Sequence, residues 1–109
     1  MNWKHLTSIT EIKEIRERSE AVPQIIFKHS TRCSISSMAK NRLEKELFPE
    51  GFDFYMLDLL KHRDISNQIA QDFKVYHESP QVLIIKKGEC IYDESHSAIR
   101  IEEILDQAK

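Results

Sequence analysis

Cys33 is the residue of this chain best placed to do chemistry. It follows the apolar run Ile25-Ile26-Phe27 and precedes a stretch with helical spacing of apolar residues, among them Met38, Ala39 and Leu43. A cysteine between a strand and the first turn of a helix faces unpaired backbone N–H groups and the positive end of the helix dipole. Both favour the thiolate, the form that attacks disulfides or binds metal. We therefore expect a reactive thiol at position 33.

The residues before Cys33 are polar and basic. Arg32 precedes it directly, Lys28 and His29 lie a little further back, and we expect all three to add positive charge to this loop. The alternative is an inert cysteine that only fills space, because free cysteines are often buried.

Composition narrows the function classes. At 109 residues the chain is long enough for one domain with an ordinary core, and we take residues 1–109 as a single domain. The net charge of −2 argues against nucleic acid as the main partner. No apolar run is long enough to span a bilayer, and the start of the chain lacks an apolar signal-peptide core. We expect a cytoplasmic protein that binds neither nucleic acid nor membranes.

The cysteines and histidines do not form a ligand pattern. Cys33 and Cys90 are too few for a disulfide framework or a zinc site, and the histidines are scattered without a spaced pair. No metal site is predicted. In a reducing cytosol an exposed lone cysteine is more plausibly reactive than structural.

The elements that must position Cys33 alternate along the chain. The capping box Ser8-Ile9-Thr10-Glu11 and apolar residues at helical spacing predict a helix over residues 9–20, with Ile9, Ile12 and Ile15 inside. Residues 24–29 form an apolar run typical of a buried strand. The helix after Cys33 is expected to end at Pro49-Glu50-Gly51, and its inner face is predicted to be Ile35, Met38, Ala39, Leu43 and Leu47.

The second half of the chain adds the remaining elements. Residues 52–58 are a predicted strand, and a short helix carries Ile65, Ile69, Ala70 and Phe73. A hairpin follows, with strands at 81–86 and 90–93 joined by Lys87-Gly88-Glu89. Ser97 is predicted to cap a last helix with the inner face Ala98, Ile101, Ile104, Leu105 and Ala108. The order α-β-α-β-α-β-β-α indicates an α/β thioredoxin-like fold, with a central four-stranded mixed sheet flanked by helices.

The motifs at the strand ends resemble the thioredoxin superfamily. They are Cys33-Ser34-Ile35-Ser36 between strand and helix, and Ser79-Pro80 opening a later strand. Within that superfamily the stretch from Phe27 to Cys33, followed by Ile35-Ser36, resembles the YtxJ-like monothiol bacilliredoxins of bacillithiol-producing Firmicutes. The likeness extends over essentially the whole chain. Where proline commonly follows the cysteine in that family, this chain has Ser34.

The resemblance implies a cytosolic thiol–disulfide oxidoreductase. Its substrates would be bacillithiolated proteins, with bacillithiol as co-substrate and no bound cofactor. Cys33 would attack the mixed disulfide and carry bacillithiol as an intermediate. Ser36 stands where dithiol members carry a resolving cysteine, so a second thiol, free bacillithiol or another redoxin, must complete the cycle. The Ser36 hydroxyl could donate a hydrogen bond to the thiolate, or simply satisfy the backbone of the first helical turn.

Cys90 is the other thiol that could resolve the intermediate. The strand that starts at Pro80 runs away from Cys33 for roughly 20 Å before the turn that precedes Cys90. A disulfide needs Cα atoms within roughly 7 Å of each other. We therefore expect Cys90 to be a half-buried strand cysteine.

Ser79 and Pro80 are the first candidates for substrate contact. The resemblance implies a cis Ser79–Pro80 peptide against the active-site cysteine, with the Ser79 backbone pairing with the bound thiol compound. An ordinary X-Pro turn at the start of a strand is the alternative interpretation.

Four further residues are candidates for the same role. Thr31 and Arg32 flank the thiol, and Arg32 could pair with a malate carboxylate of bacillithiol or be a solvated loop cation. His96 and Ser97 return to the Cys33 end of the sheet, where a helix N-terminus could hold a carboxylate. Capping of the last helix by Ser97 explains the same residues.

Two other functions compete with the enzyme. Some monothiol glutaredoxins hold an iron–sulfur cluster with one cysteine and an external thiol, but they carry a Cys-Gly-Phe-Ser type motif and this chain has Cys-Ser-Ile-Ser. A redox-inert adaptor that keeps only the fold is the third possibility.

Overall fold

The computed structural model describes residues 3–46 and 48–109. In these ranges the strands are β1 (Lys4–His5), β2 (Gln24–His29), β3 (Asp53–Asp58), β4 (Gln81–Lys86) and β5 (Glu89–Ser95). The helices are α1 (Thr10–Arg18), α2 (Ser34–Glu44), α3 (Arg63–Phe73) and α4 (Ile101–Ala108). A short 3-10 turn, His96–Ala98, precedes α4. None of these helices is long and apolar enough to cross a membrane.

The strands form one mixed sheet in the order β1-β3-β2-β4-β5. β1 and β2 run parallel to β3, while β4 is antiparallel to β2 and to β5. The predicted thioredoxin-like α/β fold is confirmed, but the sheet has five strands where four were expected. The missing strand, β1, consists of Lys4 and His5, which are both exposed and carry no apolar alternation. It is held by parallel pairing of its two residues with Tyr55 and Met56 of β3.

The sheet separates two apolar cores. Because side chains alternate along a strand, Ile25 and Phe27 of β2 face α2 and α4, while Ile26 faces α1 and α3. The first core also holds Trp3, whose ring stacks on Phe27 at 5.7 Å between centroids. The strand predicted over residues 24–29 is confirmed, and every residue in it is buried.

The capping box predicted at the start of α1 is present. The Glu11 carboxylate accepts the backbone N–H of Ser8 at 2.9 Å, and the Ser8 hydroxyl accepts the N–H of Thr10 at 3.3 Å. Ile12 and Ile15 are buried as expected. Ile9 is 44% exposed, because it precedes the first helical turn instead of lying on its inner face.

The inner face of α2 differs from the prediction. Ala39 and Leu43 are buried together with Ser36, whereas Ile35 is 47% and Met38 60% exposed. The buried Ser36 hydroxyl is bonded to the end of β2, and this contact turns the two apolar neighbours outward. α2 ends at Glu44, before the proline–glycine stretch expected to end it. Leu47, also predicted on this face, lies outside the described residues.

A tight turn joins β4 to β5. Lys87 and Gly88 both have positive φ, 55° and 79°, which is the backbone of a two-residue hairpin turn. Their N–H groups donate to the carbonyl and the hydroxyl of Ser19, each at 2.9 Å. The hairpin is thereby tied to the end of α1.

The start of α4 corrects the predicted helix cap. Ser97 lies in the 3-10 turn, α4 begins only at Ile101, and the position before it is held by Arg100 without a side-chain cap. The reason is Ile99, whose side chain is fully buried and whose backbone is extended. An extended residue here delays the start of the helix. Ala98, expected on the inner face, is exposed.

Candidate active site

Cys33 lies at the junction that the sequence predicts. It is partly exposed, its backbone is extended (φ −106°, ψ 121°), and the next residue is the first of α2. Its N–H donates to the Ser30 carbonyl at 3.2 Å, and its own carbonyl accepts the N–H of Ser37 at 3.0 Å. These bonds fix the backbone on both sides of the residue. Its side chain makes no capping hydrogen bond in the described part of the chain, so the sulfur is not committed to the helix start.

Ser36 is fully buried one helical turn after Cys33. Its hydroxyl accepts the backbone N–H of Ser30 at 2.9 Å and lies 2.7 Å from Nδ1 of His29. The same oxygen therefore joins the last strand residue, the loop and the first turn of α2. The hydroxyl is bonded to these two groups. Of the two roles that the sequence left open for it, the structure shows the contact with the backbone and no bond to the Cys33 sulfur among the described residues. Its part in catalysis stays a prediction.

The sequence predicts that Lys28 and His29 add positive charge to the loop. This prediction is wrong. Both are buried in β2, and the Lys28 ammonium donates to the Ser66 carbonyl of α3 at 3.3 Å, on the other side of the sheet from α2. Burial lowers the pKa of His29, and the nearby Lys40 ammonium lowers it further, so the ring is neutral at neutral pH. Arg32, exposed together with Thr31, is the cation left next to Cys33 among these residues.

The Ser79–Pro80 peptide is cis, as the resemblance implies. Gln81 at the start of β4 pairs with Lys28 near the end of β2. Pro80 therefore lies at the end of the sheet from which the Cys33 loop departs. The Ser79 hydroxyl is buried and has no hydrogen-bond partner among the described residues. An unsatisfied buried hydroxyl costs stability, so this oxygen is a hydrogen-bonding group left over beside the cis peptide.

The turn at His96 also reaches this end of the sheet. The His96 N–H donates to the Pro80 carbonyl at 3.0 Å, in a left-handed backbone with φ of 58°. Its ring nitrogen lies 3.6 Å from the Glu78 carboxylate, and Ser97 is exposed beside it. The turn is therefore near the expected site, but a carboxylate already occupies the space beside the imidazole.

Two exposed apolar side chains follow Cys33 in the first turns of α2. Ile35 and Met38 are three residues apart on α2, directly after Cys33, and both project into solvent. The periodicity of the sequence placed them in the core. They instead give the exposed face at the start of α2 an apolar character.

Cys90 is a half-buried cysteine of β5, as expected. It pairs with Ile85 at the far end of β4, and its Sγ donates to the Tyr92 carbonyl at 3.3 Å. Burial raises the pKa of its thiol. Cys33 and Cys90 are both free, and the hairpin keeps them at opposite ends of the sheet. Within residues 3–46 and 48–109 no group of three or more His, Cys, Asp or Glu side chains could hold a metal ion.

Comparison with known proteins decides the family. The family model for the monothiol bacilliredoxin BrxC matches residues 4–104. The chain belongs to this family. The resemblance stated from the sequence is thereby confirmed.

Solved structures agree with this assignment. One, described as a candidate oxidoreductase with a thioredoxin fold, is 30% identical with a TM-score of 0.83, and the match covers 96% of this chain and 92% of that one. The thioredoxin of Malassezia sympodialis is 20% identical with a TM-score of 0.73, over 97% and 88% of the two chains. That of Fasciola hepatica is 14% identical with a TM-score of 0.74, over 97% and 99%. The two thioredoxins show the fold alone; the family and the first structure support a thiol redox function.

Sequence reasoning missed the role of His29. Its position before Cys33 predicts a loop cation, whereas the structure makes it the partner of Ser36. Alternation along β2 could have shown this, since His29 shares the parity of Ile25 and Phe27, the residues that face α2.

Proposed function

We propose that this protein removes bacillithiol from mixed disulfides on proteins, with Cys33 as the attacking thiolate. The observation that carries the proposal is the isolated, partly exposed Cys33 at the start of α2, with buried Ser36 where a second thiol would stand in a dithiol enzyme. Membership of the bacilliredoxin family supports bacillithiol as the adduct.

The exchange needs no bound cofactor. The Cys33 thiolate attacks the bacillithiol sulfur of the mixed disulfide, a Cys33–bacillithiol disulfide forms, and the protein thiolate leaves and takes a proton from water. A second thiol, free bacillithiol or another redoxin, then attacks the bacillithiol sulfur and releases the Cys33 thiolate. Cys90 is a poor candidate for this second step, since burial raises its pKa and its strand places it at the distal end of the sheet.

The surface around Cys33 supports a protein client. Ile35 and Met38 would contact apolar side chains of the bacillithiolated protein, while the Ser79 backbone and its unpartnered hydroxyl would contact the mixed disulfide itself. Of the sites considered for a malate carboxylate, Arg32 is favoured, with Thr31 beside it. Glu78 would repel a carboxylate at His96 and Ser97.

The test is transfer of the adduct, followed by mass spectrometry. A bacillithiolated protein is mixed with the wild type, with Cys33→Ser and with Cys90→Ser. We expect the wild type and Cys90→Ser to gain the mass of bacillithiol on Cys33 as the client loses it. Removal of bacillithiol by Cys33→Ser at the wild-type rate would disprove the assignment, and loss of activity in Cys90→Ser would disprove the monothiol cycle.

A further inference from the structure

A buried imidazole lies behind the active cysteine. His29 is the last residue of β2, is 6% exposed, and stacks on Phe27 at 5.8 Å between ring centroids. Its Nδ1 lies 2.7 Å from the Ser36 hydroxyl oxygen, in the first turn of the helix that Cys33 starts. An apolar side chain would pack on Phe27 without the cost of burying ring nitrogens. The exchange described above gives this histidine no task.

The hydrogen bonds of Ser36 determine where its proton points. A hydroxyl has one hydrogen and two acceptor lone pairs. One lone pair of Ser36 is taken by the Ser30 N–H at 2.9 Å. In the neutral tautomer of His29 that carries its hydrogen on Nε2, Nδ1 is an acceptor, and the Ser36 hydrogen is then donated to the ring. The second lone pair of the oxygen then stays open to a further donor.

The charged groups around His29 act in both directions. Burial and the Lys40 ammonium of α2 lower its pKa, whereas Asp58 of β3 and Glu44 of α2 raise it. Burial is the largest of these effects, so the ring rests in its neutral form. A neutral imidazole can accept a proton, and Asp58 and Glu44 would stabilise the imidazolium that results.

Cys33 is one helical turn from this pair. It holds the position before the first residue of α2, and Ser36 is the third residue of the helix. A side chain at the first of these positions, when turned inward, lies over the amides of the second and third helical residues. Rotation about the Cα–Cβ bond of Cys33 therefore brings its sulfur toward the Ser36 turn.

From this geometry we infer that His29 is a positioning residue that takes up and returns the Cys33 proton through the Ser36 hydroxyl. The Cys33 S–H bond breaks as its hydrogen passes to Ser36 Oγ, and the hydroxyl hydrogen passes to His29 Nδ1. A thiolate and an imidazolium result, no electrons are transferred, and Ser36 keeps one hydrogen throughout. The inference rests on the proposed role of Cys33 as the nucleophile, and it does not depend on which disulfide Cys33 attacks.

The test measures Cys33 alkylation by iodoacetamide as a function of pH in a Cys90→Ser background. His29→Asn can place its amide oxygen near the position of Nδ1, so it still accepts the Ser36 hydroxyl hydrogen but cannot titrate. Ser36→Ala removes the hydroxyl, and Ser36→Thr restores it. We expect His29→Asn and Ser36→Ala to lose the part of the pH profile due to His29 and to react about tenfold more slowly at neutral pH. Ser36→Thr should retain the wild-type profile.

A superimposable pH profile for His29→Asn and wild type would overturn the inference, because the histidine would then serve packing alone. A second measurement does not require the variants to fold. The His29 ring is titrated by NMR in the wild type before and after Cys33 is blocked with iodoacetamide. We expect the pKa of His29 to fall on blocking, since the thiolate that stabilises the imidazolium is lost, and an unchanged value would refute the coupling. Neither assay contains bacillithiol, so failure of the proposed function would leave both results intact.

Discussion

The buried Lys28 allows a direct test of what it costs this fold to bury a charged side chain. Its side chain is completely inaccessible on the face of the sheet that α1 and α3 cover, and its ammonium donates to the Ser66 carbonyl at 3.3 Å. Among the described residues its pKa is set by burial and by the Cys90 thiol, and not by a carboxylate. Replacement by methionine keeps the length of the side chain and removes the charge. We expect Lys28→Met to be more stable than the wild type at neutral pH.

The magnitude follows from the pKa of the buried amine. Burial lowers the pKa of Lys28 from 10.5 to about 8. At about 1.4 kcal/mol for each pH unit, the charged folded form costs about 3 kcal/mol relative to the unfolded chain. Between about pH 8 and 10.5 the unfolded state binds more protons, so the Lys28 contribution to stability improves as pH rises. Below pH 8 the whole cost is present. After the loss of one hydrogen bond, worth about 1 kcal/mol, Lys28→Met gains about 2 kcal/mol at pH 7.

The assay is urea denaturation of wild type and Lys28→Met at pH 7 and pH 10. The exposed Lys13→Met of α1 is the matched control, and its stability should differ little from the wild type. Tyr55 and Tyr92 also titrate at alkaline pH, but they are present in all three proteins and cancel in the differences. Cys90 and Lys28 influence each other's pKa, so all three proteins carry Cys90→Ser. The advantage of Lys28→Met should shrink toward pH 10. An advantage of the same size at both pH values, or a less stable variant at pH 7, would refute the reasoning.

Three further predictions concern other sites. Although burial opposes it, hydrogen bonds from Gln24, Arg18 and Lys4 hold the pKa of Asp53 below its usual range, so Asp53→Asn should cost about 1–2 kcal/mol at pH 7. This loss of stability should shrink as acid protonates Asp53 in the folded wild type. Urea denaturation of both proteins at pH 7 and at about pH 3 measures it. A loss of equal size at the two pH values would contradict the prediction. Gly88→Ala should cost about 1 kcal/mol in urea denaturation because of its positive φ of 79°, with Gly88→Asn costing less. Ser79→Ala should leave the folded protein as stable or up to about 1 kcal/mol more stable, yet slow the removal of bacillithiol from a client; an unchanged rate would count against substrate contact by this hydroxyl.

The sequence predicts most of the fold because its apolar runs are long and its turn residues strong. The strands at 24–29 and 81–86 and the Lys87-Gly88 turn are found where the patterns place them. β1 escapes such reasoning, since two exposed residues have no pattern and depend entirely on their neighbour β3. The end of α2 and the start of α4 also differ, because a local polar contact at Ser36 and the burial of Ile99 override helical periodicity.

The site is predictable in its chemistry but not in its surroundings. Cys33 and cis Pro80 follow from the motif and the family resemblance, since both positions are fixed by the order of the elements. The direction in which the neighbouring side chains point cannot be predicted in the same way. Lys28 and His29 are adjacent in the sequence and leave the sheet on opposite faces, so one becomes a buried amine under α3 and the other contacts Ser36.

The two outer strands of the sheet determine whether another chain can add to it. β1 leaves only a two-residue edge, with Lys4 and His5 exposed. β5 is longer, but its register against β4 is broken near Ile85, and the side chains it exposes include Glu89 and Asp93. Short, irregular and charged edges discourage an extended chain from adding as another strand, and so guard against self-association into larger sheets. If the proposed function holds, a client protein would meet the end of the sheet where the thiol is located and would not be held along its sides.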